Sequence, residues 1–131
     1  MKKLFKLSGL ITVLILVLAG CGIQPILNIN QNPVEVKKGT SNDAIYKAIK
    51  TAGLSKGWVV TKTSNGVAKA VLNIREHQAI VRINYTDKDY SINYVSSVNL
   101  NSDGTTIHSN YNGWIGYLKQ AIDVQLSSLA E

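Results

Sequence analysis

The sequence predicts an α+β fold: a four-stranded antiparallel β-meander with an N-terminal and a C-terminal helix packed on one face. Three observations predict it. Apolar and polar residues alternate through much of residues 58–95, the period of half-buried strands. Apolar residues recur at steps of three and four on either side, in residues 45–52 and 111–129. The connections between the alternating runs are short, as antiparallel hairpins allow and parallel crossovers do not.

Residues 40–57 read as the first helix. Thr40, Ser41, Asn42 and Asp43 supply capping groups, with Asp43 near the positive helix N-terminus. Ile45, Ala48, Ile49 and Ala52 share one face, and Gly53 or Gly57 ends the helix. Four strands follow, over residues 58–62, 67–75, 79–86 and 90–95. Their apolar sets are Ala68, Ala70, Leu72 and Ile74, then Ala79, Val81, Ile83 and Tyr85, then Tyr90, Ile92 and Tyr94. Opposed residues share a face, so Leu72 is expected opposite Ile83, and Ile83 opposite Ile92. The first hairpin has two solutions. A two-residue Asn65-Gly66 turn sets Val59 against Leu72. A longer turn with Gly66 left-handed points Trp58 and Val60 inward, which is preferred because it buries the larger side chain. After the turn signal of residues 101–104, the last helix begins at Ser109 or Asn110. Its stripe is Tyr111, Trp114, Ile115, Leu118, Ile122, Leu126 and Leu129.

Ahead of this domain stand three lysines, Lys2, Lys3 and Lys6, and an apolar run over residues 10–18. A bilayer span needs roughly 20 apolar residues, so the run reads as a secretory signal. Leu18-Ala19-Gly20-Cys21 directly after it resembles a bacterial lipobox. The resemblance implies cleavage before Cys21, a lipid on its thiol and acylation of its new amine. Cys21 is the only cysteine, so this also accounts for an otherwise free thiol in an exported chain. Gly22 in second place, by the same resemblance, favours the periplasmic face of the outer membrane over retention in the inner one. The domain organisation expected is therefore a signal peptide over residues 1–20, a lipidated N-terminus and flexible tether over 21–39, and a single α+β domain over 40–131. Residues 22–39 hold both prolines and four amide side chains between them; fully extended, they would reach roughly 60 Å. The alternative is that residues 33–36 add a short edge strand. Loss of the signal lysines lowers the formal charge from +6 to +3, which gives no reason to expect a nucleic-acid partner.

The chemistry-bearing residues are few. His77 with Glu76, and Asp87 with Asp89, fall in expected turns and match neither HExxH nor an EF-hand loop. No phosphate-cradling glycine motif occurs. No catalytic residue, metal ligand or cofactor is therefore expected. His108, beside the entrance of the last helix, is the best single candidate for holding an anion. On the open sheet face the expected register aligns Asn73, Arg82 and Asn93 in one row, with Lys69 and Arg75 on the same face. This basic, amide-rich surface suits another envelope protein, a glycan or lipid headgroups.

With Gly57-Trp58, residues 90–94 (YSINY), residues 97–100 (SVNL) and residues 107–118 (IHSNYNGWIGYL) in order, the chain resembles a set of small uncharacterised lipoproteins of Gram-negative bacteria. The resemblance spans most of residues 40–126. It implies an α+β fold and an envelope location, and no activity. The functional expectation is a non-enzymatic binding or assembly accessory anchored in the bilayer through acylated Cys21; the alternative is a cell-wall-directed enzyme or enzyme inhibitor. Replacement of Cys21 by Ser is expected to move the protein from the membrane to the soluble fraction. Mass spectrometry of the wild type should find acyl chains on Cys21.

Overall fold

A computed structural model describes residues 22–130. In chain order these form β1 (Ile23–Pro25), β2 (Ile29–Pro33), α1 (Asn42–Ser55), β3 (Trp58–Ser64), β4 (Val67–Ile74), β5 (His77–Tyr85), β6 (Asp89–Val98), β7 (Thr106–His108) and α2 (Ser109–Ser127). The class is α+β, with two helices over an antiparallel sheet. The sheet has five strands rather than four, in the order β2-β6-β5-β4-β3, and β1 and β7 form a second, two-stranded sheet. The predicted meander is the β3–β6 part of it.

Two of the three extra strands, β1 and β2, come from the segment expected to be a flexible tether; the third, β7, leads into α2. Residues 22–39 are instead a strap laid along the domain. β1 pairs with β7, and β2 pairs with the outer edge of β6. Ile26, Ile29 and Val34 pack against the core, while the side chains of Asn28, Asn30 and Asn32 hydrogen-bond to the domain. A composition poor in apolar residues thus still docks, because its polar groups find fixed partners.

The core forms where the two periodicities meet. Trp58, Val60, Ala68, Ala70, Leu72, Ala79, Val81, Ile83, Tyr85, Tyr90 and Ile92 point to one side of the sheet and are buried. Ile45, Ile49 and Ala52 of α1 and Tyr111, Ile115, Leu118, Ile122 and Leu126 of α2 cover them. Trp114 and Leu129, read from sequence as members of this stripe, are only partly buried at its margin. Ser41 caps α1 by accepting from the Ala44 amide at 3.1 Å, and Gly57 with φ +85° turns the chain into β3. In the first hairpin Gly66 is left-handed (φ +80°) and the register shifts between Lys62 and Ser64. The bulge is what lets Trp58 face Leu72 on the buried side, the preferred solution.

The second hairpin departs from expectation. It closes on Arg75 and Glu76, with Arg75 at φ +54°, so Leu72 faces Ala79 and Ala68 faces Ile83. The expected pairing of Leu72 with Ile83 is displaced along the strands. The displacement spans an even number of residues, so every side chain keeps its face. Ile83 does face Ile92.

Glycine positions on the two helices offer opposite outcomes for one substitution. A Cβ at Gly53 would lie 2.5 Å from Val60 Cγ2, a stiff β-branched neighbour on β3, whereas one at Gly116 meets nothing within 4 Å. Gly53→Ala should destabilise by about 1–3 kcal/mol through overpacking. Gly116→Ala should stabilise by about 0.5–1 kcal/mol through helix propensity. Denaturant melts of the two variants check both signs.

Candidate functional site

The face of the sheet turned away from the helices carries the residues that the strand alternation leaves outside. Register places them in rows. Thr61, Lys69, Arg82 and Asn93 lie side by side across four strands. The next row is Val59, Val71, Ile80 and Ser96, and beside it Val95 stands at a bulge in β6. Val59 is 60% exposed and Val95 46%. Thr63, Val67, Lys69, Ile80, Arg82 and Val95 border a shallow depression of about 400 Å³. An apolar row thus adjoins a basic one. No carboxylate stands on the outward positions of β3, β4 and β5, or of β6 from Ser91 onward.

The structure brings together part of the predicted set. Lys69, Arg82 and Asn93 share one row. Asn73 is on the same face but opposite Gln78, whose Nε2 donates to its Oδ1 at 3.0 Å; the displaced hairpin register moves it out of Arg82's row. Arg75 is not a strand residue at all, because the hairpin turns there. Asn93 is partly committed, its amide donating to Asn30 Oδ1 of the strap at 3.2 Å. Cys21 lies outside the described residues, as does the signal segment 1–20.

His108 has a structural task that the sequence did not reveal. It is the N-cap of α2: Nδ1 accepts from the Asn110 amide at 3.2 Å. Its own amide donates to the Leu100 carbonyl at 2.9 Å, and it pairs with Ile23 across the small sheet. Neither Ser109 nor Asn110 caps the helix. His108 therefore ties three segments together, with its Nδ1 lone pair committed to the first turn of the helix. His77 is likewise engaged, with Nδ1 2.7 Å from the Asn99 carbonyl and its ring 6.3 Å from that of Trp114. Among the described residues no three His, Cys, Asp or Glu side chains converge where a metal ion could sit.

The residues missed from sequence are those that hold the strap. Asn112, in the first turn of α2, accepts from the Leu27 amide at 2.9 Å through Oδ1. Its Nδ2 donates to the Pro25 carbonyl at 2.9 Å and to Gln24 Oε1 at 3.3 Å. Asn28 Oδ1 accepts from the Tyr94 amide at 2.8 Å, and Ser91 Oγ accepts from the Gln31 amide at 2.9 Å. Further along, Asp123 Oδ1 accepts from Tyr90 OH at 2.6 Å and from Asn32 Nδ2 at 3.2 Å, while Lys119 bonds Oδ2 at 2.7 Å. Burial, reinforced by the bond to Asp123, pushes the Tyr90 hydroxyl far above the usual phenol range, so it stays a donor. Helical periodicity marks Asn112 and Asp123 only as lying off the apolar stripe; the partners of their side chains are far away in the chain.

Comparison of the chain with protein-family models, with curated proteins and with solved structures finds no match.

Asn112→Ala removes three hydrogen bonds to the strap. Urea melts should show a loss of about 0.5–1.5 kcal/mol, the net worth of hydrogen bonds whose backbone partners at Pro25 and Leu27 can turn to water instead. Native-state proteolysis should cut within residues 22–34 faster than in the wild type, because the strap opens without the domain unfolding.

Proposed function

We propose that this chain is a lipid-anchored, non-enzymatic accessory of a bacterial cell envelope. In this reading it binds an acidic envelope component, a protein face or a glycan, through its open sheet face. The observation that carries the binding part is the outward surface of the meander, where the Val59–Val71–Ile80 row stands beside Lys69 and Arg82 with no carboxylate among them. Charged outer faces are ordinarily mixed in sign and lack a contiguous apolar row, whereas an apolar centre with a polar, charged rim is the anatomy of a recognition surface. The unopposed positive charge would steer an acidic partner and hold its register.

The anchoring part rests on the sequence: the signal anatomy of residues 1–20, the lipobox resemblance at residues 18–21 and the lone Cys21. Gly22 in second place favours the periplasmic face of the outer membrane as its location. The likeness of residues 40–126 to small Gram-negative lipoproteins supports the same setting. A catalytic reading finds less to stand on, since the candidate histidines are each held by backbone groups.

In-cell crosslinking of wild type and Arg82→Glu tests the binding face. Arg82 is exposed and makes no ion pair among the described residues, so the variant should melt as the wild type does while its crosslinked partners are lost. An unchanged partner set overturns the proposal.

A further inference from the structure

The strap removes the spacer between the lipid and the domain. Gly22 is covalently next to Cys21, and the Gly22 carbonyl already accepts from the Ser109 amide at 2.7 Å. From there Ile23, Gln24 and Pro25 pair with His108, Ile107 and Thr106, the Ile26 amide donates to Thr105 O at 3.0 Å, and Asn112 clamps the next turn. No free chain is left between residue 22 and the fold. Gly22 has φ +100°, a conformation that glycine adopts freely, and its carbonyl bond to the Ser109 amide places the point where the chain leaves the domain beside the entrance of α2.

We infer that the domain sits directly on the lipid headgroups of the bilayer that holds Cys21, with one defined corner toward them. This rests on the reading of Cys21 as acylated and adds to it an orientation. The corner is fixed by contacts around the exit point. His108 N donates to Leu100 O, His77 bonds Asn99 O, and Asn99 Nδ2 donates to Glu76 O at 2.8 Å. The start of β1, the entrance of α2, the end of β6 and the Arg75–Glu76 turn therefore lie together. Ile23 and Val98 are exposed there, at 46% and 49%, and Asn110 is exposed on the first turn of α2. Arg75 and Glu76 offset each other, so covalent placement rather than charge attraction holds this corner down. The opposite end of the sheet, where residues 86–88 join β5 to β6, is the length of a nine-residue strand away, roughly 30 Å.

The consequence is reach. A flexible tether over residues 22–39 would let the domain search roughly 60 Å from the membrane. Without it, the domain reaches only its own diameter, about 35 Å for a globule of this length with a radius of gyration near 13 Å. The partner of the open face must then lie at the same membrane surface or within that distance of it.

The test uses full-length acylated protein in vesicles of phosphatidylethanolamine and phosphatidylglycerol doped with a lipid carrying a headgroup nitroxide. A fluorophore is attached at Val98→Cys, at Asn110→Cys or at Asp87→Cys. Several-fold stronger quenching at positions 98 and 110 than at 87 is the expected result. Insertion of a Gly/Ser spacer between Cys21 and Gly22 should abolish the difference while leaving acylation intact. Acylated, vesicle-bound protein with equal quenching at all three positions overturns the orientation alone. Protein that carries no acyl chain by mass spectrometry and does not bind vesicles overturns the anchored reading and the orientation with it.

Discussion

One side of the β3–β6 sheet is apolar in every strand, and two helices are its main cover, with Leu100, Ile107 and strap residues closing the margin. That constraint organises the rest of the fold. Ala68, Ala70 and Ala79 on the sheet, with Ala52 and Gly53 on α1, keep the two layers close enough to exclude water. Trp58 and the tyrosines at positions 85, 90 and 111 fill the volume that the alanines leave. Tyr94 meets Tyr111 edge-on at 5.6 Å, and Tyr46 stacks against Tyr85 at 6.3 Å, arrangements that suit aromatic quadrupoles. The sheet's other face is left to water or to a partner because no third element exists to cover it among the described residues.

The same constraint explains the strap. β6 would be an exposed edge, with unpaired amides and carbonyls along ten residues. β2 covers its outer half, and Asn28 satisfies the Tyr94 amide where the strand pairing lapses. Asn112 and Asp123 then hold the strap from the helix side. The polar residues that make the segment look like a linker are those that fasten it. A docked strap also changes what an anchor at Cys21 would mean mechanically: a rigid, short attachment in place of a long flexible one.

Particular residues show how far the sequence could be read. Face assignment was legible almost everywhere, because alternation reports which side of a strand is wet. Hence Trp58 and Val60 point inward, and Lys69 and Arg82 point outward, as expected. Register was legible only where the turn was. The Gly66 hairpin could be chosen correctly since a left-handed glycine is a local signal. The Arg75–Glu76 hairpin could not, since nothing about an arginine announces φ +54°. That one turn is why Asn73 fell outside the row with Arg82, and why Arg75 is a turn residue instead of a strand residue on that face. The capping of α2 by His108 through Nδ1 was not legible, because cap preferences do not favour histidine.

By itself the sequence determined the periodicities, and through them the two helices, the four strands of the meander, the buried stripe from Tyr111 to Leu126 and the outward basic residues. These are local properties: each depends on which neighbours along the chain share a face. Only the tertiary structure decided the fate of residues 22–39, the clamp at Asn112, the network at Asp123 and the capping role of His108. The strap, the clamp and the network depend on polar groups that meet across large separations, 85 residues for Asn112 and Leu27, 91 for Asn32 and Asp123, and His108 caps locally where its amide is held by the distant Leu100 carbonyl. An amide side chain bonds equally well to water or to a distant backbone, so its partner is chosen by where the apolar surfaces bring the chain together.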